Sequence, residues 1–191
     1  MKLHASALAI AAGLVLAVAP APASAQSVDV FAGLNALTAN QAVANIPQLS
    51  GGVFPGAGVN IFFGLIGIGA EVAGRATRNS SGIRPVYYDV NLLVDPIHIS
   101  RSIIPIFMFG LGAQSISSYT GLAGCGGVGP CTSYVGSHLS AHLGFAVKVY
   151  LTEHLFVQPE AHFYFIRNNQ QFQAASAQRY GVSLGWTFGG G

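Results

Sequence analysis

Arg179-Tyr180-Gly181-Val182-Ser183-Leu184-Gly185-Trp186-Thr187-Phe188-Gly189-Gly190-Gly191 alternates nearly without a break up to Phe188. Tyr180, Val182, Leu184, Trp186 and Phe188 share one face, and Gly181, Ser183, Gly185 and Thr187 share the other. A repeat of two residues is a β-strand, because successive side chains point to opposite faces. Large apolar groups on one side and small or polar groups on the other suit a wall between lipid and a crowded interior.

The same alternation recurs upstream. It predicts strands over residues 28–34, 53–62, 66–75, 84–94, 103–114, 137–150 and 155–167. In the fourth, Val86, Tyr88, Val90, Leu92 and Val94 oppose Tyr87, Asp89, Asn91 and Leu93. In the sixth, Leu139, Ala141, Leu143, Phe145, Val147 and Val149 oppose His138, Ser140, His142, Gly144, Ala146 and Lys148. Connections after the first, third, fifth and seventh strands are long and polar, at residues 38–51, 77–82, 115–136 and 168–178. Those after the second, fourth and sixth are short. Long and short connections in turn predict an all-β fold, an eight-stranded antiparallel transmembrane β-barrel with both ends of the chain on the short-turn side.

A soluble barrel also alternates, with its apolar face inward. Charged residues make up only 7% of the chain, and a soluble exterior of glycine and serine would be unusually charge-poor. The formal net charge of +2 comes without a basic run or patch, so nucleic acid is not an expected partner. Beyond the leader, no apolar run is long enough for a membrane helix. Glycines and Glu71 interrupt the best stretch, residues 59–73.

The chain opens as exported proteins do. Lys2 precedes a mostly apolar run over residues 5–18, Pro20 and Pro22 break it, and Ala23-Ser24-Ala25 is a small-x-small cleavage motif. Residues 1–25 therefore read as a cleaved secretory signal peptide, and residues 26–191 as one barrel domain. Export implies an oxidising compartment, so Cys125 and Cys131 are expected to form a disulfide closing a small loop.

The chain resembles the bacterial outer-membrane beta-barrel family, in its small eight-stranded group related to the OmpA transmembrane domain and to opacity-like surface proteins. The likeness spans residues 28–188. It rests on Gly56-Ala57-Gly58-Val59-Asn60, on Gly67-Ile68-Gly69-Ala70-Glu71, on Leu155 to Tyr164 with Gln158 and Glu160, and on the aromatic-ended last strand. The resemblance implies a place in the cell outer membrane, reached through the periplasm. It also implies outer-membrane lipid and the barrel-insertion machinery as partners, with outer loops that meet an environmental or host ligand. The family usually ends on a terminal aromatic that serves the insertion machinery. Here Phe188 is followed by Gly189-Gly190-Gly191.

Chemistry is expected only in the lumen. By alternation Asp29, Glu71, Asp89, Lys148, Glu160, His138, His142, His162, Asn60, Asn91, Gln158 and Tyr164 point inward, and Arg75 lies nearer the outer end of its strand. Charge sealed in a narrow barrel must be paired or solvated. Glu71, Asp89, Lys148 and Glu160, with His142 and His162, are expected to form an internal network that plugs the barrel. A narrow ion or small-solute pore is the alternative.

No enzyme, cofactor or metal is expected. His138-Leu139-Ser140 resembles the His-x-Ser element of outer-membrane lipid A deacylases, but no acid falls where it would orient His138. His138 and His142 stand four apart on a strand, ~13 Å, too far for one ion. Asp95 and His98 read as solvent-facing turn residues. Tyr150, Phe188 and Phe63 are expected at the periplasmic interface, and Tyr88 in the outer half.

Overall fold

The alternation is realised in eight strands: β1 (Gln26–Ala39), β2 (Val53–Phe63), β3 (Ile66–Gly74), β4 (Arg84–Val94), β5 (Ile103–Thr120), β6 (Thr132–Tyr150), β7 (Leu155–Ile166) and β8 (Ser176–Gly189). This computed structural model describes residues 26–40, 49–78, 82–96, 102–120, 132–167 and 175–189. Residues 1–25, for which a signal peptide is expected, lie outside the described residues, as do Cys125, Cys131 and His98.

Each strand pairs antiparallel with its sequence neighbour, and β1 pairs with β8 from Ser27↔Gly189 to Ala39↔Ala177, which closes the barrel. Closure leaves no unpaired strand edge. The short connections gather at one end, here the turn end, and the long ones at the other, the loop end. The turn between β2 and β3 is only Gly64-Leu65, and Gly64 takes φ 73°, which a tight hairpin needs and a side chain resists.

The apolar faces point out. Phe107, Phe145, Phe163 and Trp186 are 42–43% exposed, so they belong to an outer belt and not to a soluble core. Val90, Leu111, Leu143 and Leu184 continue that belt. Phe63 and Phe188 are exposed at the turn end, and Tyr88 is exposed toward the loop end, as the alternation predicts. Tyr150 also stands at the turn end, as the last residue of β6, but it shares the inward phase of Lys148, and its hydroxyl meets Thr187 Oγ1 at 2.8 Å inside the barrel.

The strands are longer than predicted where the sequence turns polar. β1 continues to Ala39 because Asn35 and Leu37 still point inward. β5 and β6 stay paired out to Thr120↔Thr132, which shortens the expected connection at 115–136 to 121–131. β8 starts at Ser176, three residues before the clean alternation. Each extension gives polar residues a backbone ladder, and paired backbone groups outweigh weak strand propensity. Asp95 is a correction: it is buried, and its backbone N–H donates to the Leu65 carbonyl at 2.9 Å.

Inward glycines make the room that the lumen's larger groups occupy. A Cβ on Gly112 would collide with the Tyr88 carbonyl and the Asp89 carboxylate. Gly112→Ala is therefore expected to lower stability by about 1–3 kcal/mol, read as a lower urea midpoint of refolded protein. A midpoint equal to wild type would show that the wall can shift.

Candidate functional site

The lumen is filled in layers, and the order of side chains along single strands sets them. From the loop end, β4 turns Tyr87, Asp89, Asn91 and Leu93 inward, and each is buried. From the turn end, β7 turns Phe156, Gln158, Glu160, His162, Tyr164 and Ile166 inward.

Leu49, Ile83 and Ile116 cluster at the loop-end mouth. Beneath them Leu37, Phe54, Tyr87, Tyr164, Ile166 and Ala177 pack together, and Ala39 packs against both groups and joins them into one loop-end cluster. Toward the turn end a second apolar cluster holds Phe62, Leu93, Ile106, Met108 and Ala146. The expectation of a mainly small and polar interior is thus corrected. Where glycine vacates space, aromatic and aliphatic groups from neighbouring strands fill it.

The charged layer lies between the two apolar clusters, and Arg179 is its centre. Arg179 is completely buried. Its Nη2 donates to Glu71 Oε1 at 2.5 Å, and its Nη1 lies 3.9 Å from Asp89 Oδ2. Tyr164 donates its hydroxyl to Asp89 Oδ2 at 2.7 Å, and the guanidinium lies 5.6 Å from the Tyr164 ring centre. His142 Nδ1 is 3.6 Å from Asp89 Oδ1. His162 Nε2 is 3.8 Å from Glu160 Oε1 and 4.0 Å from Glu71 Oε2, while Gln158 Nε2 donates to Glu160 Oε2 at 3.0 Å. The two imidazoles face each other from adjacent strands, ring centres 5.2 Å apart.

The expected network is therefore only partly assembled. Glu71, Asp89, Glu160, His142 and His162 do come together, but Lys148 does not join them. It pairs with Asp29 near the turn end, where Thr187 Oγ1 donates to Asp29 Oδ1 at 2.6 Å. The Lys148 ammonium also lies over the rings of Phe62, Phe156 and Tyr150. Alternation puts Lys148 on the inward face but does not give its height. The second apolar cluster separates it from the carboxylates.

Arg179 is the residue missing from the expectation. The signal was present, since Arg179 is in phase with Gly181 and Ser183 on the inward face. Arg75 stands at the loop end against Gly52, and its Nε and Nη1 have no hydrogen-bond partner. His138 is half-buried, in register with Gln114.

Lys148→Ala strips Asp29 of its cation but leaves its hydrogen bond from Thr187. The expected loss is about 1–3 kcal/mol by urea titration in lipid. An unchanged midpoint would mean that water replaces the ammonium without cost. A cavity of about 590 Å³ opens beside this pair at the turn end, lined in part by Ser27, Asp95, Tyr150 and Glu153.

No protein-family model matches the sequence, and no curated protein matches it. Solved structures do match in shape. Neisserial surface protein A aligns at TM-score 0.63 and 10% identity, over 88% of this chain and 100% of that one. The fold is that of the small eight-stranded outer-membrane barrels. The barrel also aligns with the N-terminal β-barrel domain of Pseudomonas aeruginosa OprF, at TM-score 0.59 and 13% identity, over 85% of this chain and 97% of that one. Ail, the attachment invasion locus protein of Yersinia pestis, solved with the heparin analogue sucrose octasulfate, aligns at TM-score 0.55 and 9% identity, over 87% of this chain and 100% of that one. At such identities the likeness concerns the barrel's architecture and carries no residue roles.

Proposed function

We propose that the chain is a non-enzymatic outer-membrane β-barrel protein with a closed lumen, acting through the surface at its loop end. The burial of large side chains in the lumen is the observation that carries this reading. Leu37, Phe54, Tyr87 and Tyr164 are each at most 1% exposed and pack together across the lumen, which supports a barrel closed at their level. An exterior belt of Phe, Leu and Val supports a lipid surrounding, and barrels of this type keep their long loops outside the cell. Outer-membrane lipid and the insertion machinery are then the obligatory partners. Ail shares the fold and was solved with a heparin analogue, which supports a surface-interaction role for the loop end.

Planar-bilayer recording tests the closure. Folded protein is expected to give no steady channels. Persistent, uniform conductance would overturn the plug and favour the narrow pore, for which the turn-end cavity would be the vestibule.

The disulfide belongs to the same proposal. Cys125 and Cys131 are to be bridged in the connection between β5 and β6. Bridging so small a loop contributes at most ~2–3 kcal/mol, so Cys125→Ser should leave insertion intact and make the loop easier to cleave. Two free thiols in non-reduced protein, found by mass spectrometry, would overturn the bridge.

A further inference from the structure

The charged layer contains an arrangement that ion pairing does not explain. Glu71 Oε2, Glu160 Oε1 and His162 Nε2 converge, and a donor atom from each residue lies within 4.8 Å of the other two. All three side chains are buried. The two carboxylates are held from behind: Arg179 binds the other oxygen of Glu71, and Gln158 binds the other oxygen of Glu160. The remaining oxygens face the imidazole across gaps of 4.0 and 3.8 Å, too long for hydrogen bonds. Glu160 Oε1 and both nitrogens of His162 have no hydrogen-bond partner. A fully buried imidazole with both nitrogens unpartnered is costly, and such groups in a folded protein need an explanation.

Charge points the same way. Glu71, Asp89 and Glu160 share the layer with one buried cation, Arg179, because Lys148 is committed to Asp29. With all three carboxylates ionised, two negative charges are left over among the described residues, and one divalent cation would balance them. A tetrahedral ion bound at ~2.0–2.2 Å from each donor sets the donors ~3.3–3.6 Å apart, so the triangle, with edges of 3.8 and 4.0 Å to the imidazole and none above 4.8 Å, contracts around the ion through rotation of the carboxylate and imidazole side chains.

We propose that Glu71, Glu160 and His162 bind a first-row divalent metal ion, with zinc as the reference case. One imidazole and two carboxylates form a donor set for such ions, and a carboxylate whose second oxygen is already held is oriented for ligation. The ion serves as a clamp. β3 and β7 are not neighbours in the closed sheet but lie on opposite walls, so the metal ties the barrel across its lumen. The two apolar clusters cover it on both sides, which makes loading a step of folding. The site does not depend on whether the barrel conducts.

The test uses untagged protein carrying Cys125→Ser and Cys131→Ser, so that thiols cannot compete for the ion. This parent and its Glu160→Gln and His162→Gln derivatives are refolded in micelles with Zn²⁺, washed with chelator and passed through gel filtration. The parent is expected to retain about one equivalent of zinc, with each derivative losing most of it. A zinc-free parent, or equal zinc in all three proteins, would overturn the site. If neither derivative refolds, X-ray absorption at the zinc edge of the parent decides. Imidazole scattering within a nitrogen and oxygen shell supports the site, and an oxygen-only shell, or no retained zinc, overturns it.

Discussion

Arg179→Met is expected to cost more stability than any other single substitution in the lumen, about 3–5 kcal/mol. The side chain is fully buried, and it is the only guanidinium or ammonium in contact with Glu71 and Asp89 among the described residues. Methionine fills much of the volume, so the loss reports charge and not a cavity. Removing one partner leaves the others desolvated without compensation, and that penalty exceeds the net worth of the pair itself. Urea titration of refolded protein in lipid measures it, with Lys148→Ala as the weaker companion. Arg179→Met at the wild-type midpoint would mean that the carboxylates are neutralised by other means, and the central role assigned to Arg179 would fall.

Leu143→Arg should lower the midpoint by about 2–4 kcal/mol, through the opposite surface. Leu143 is 48% exposed on the outer face of β6, and its register partners Phe109 and Phe163 are exposed beside it. A guanidinium there must leave water for hydrocarbon if the belt is in a bilayer. Ala76→Arg, at an exposed position of the loop end, should change little. Equal midpoints for the two variants would show that the belt does not meet lipid.

Strand positions were legible because a period of two survives almost any composition. Tyr87 to Leu93 and His138 to Lys148 face as alternation assigns them, with Asp89, His142 and Lys148 buried. What alternation lacks is height. In a tilted, sheared barrel, residues that share a face can sit at different levels, and the stagger is a property of the closed sheet. Lys148 therefore meets Asp29, 119 residues away, and not the carboxylates nearer in sequence. Arg179 has the right phase but stands at the very start of the clean alternation, next to the polar stretch at 168–178, so nothing local marks it as the centre of the network. The ends of β5 and β6 hid because Ser115-Ile116-Ser117-Ser118 and Thr132-Ser133 are mostly polar and lack the run of large apolar groups on alternate positions that marks the other strands. The convergence of Glu71, Glu160 and His162 joins opposite walls and has no signature in local spacing.

The pairing of β1 with β8 has a consequence for how the molecule is made. Every other ladder joins neighbours in the chain and can form as a local hairpin, but this one joins Ser27 to Gly189. The closing contact has the longest loop to bring together, so entropy places it late on the folding pathway. Until β8 docks, two raw edges stay open, and hydrocarbon does not tolerate them. Assembly should therefore be all-or-none with respect to the last strand. A chain cut before Ser176 should remain outside the bilayer and aggregate, while a chain ending at Gly189 keeps every described pair of the seam, from Ser27↔Gly189 to Ala39↔Ala177, and should insert. Partial insertion by the truncated chain, seen as protease protection of β2 through β6, would show that the seam is not the commitment step.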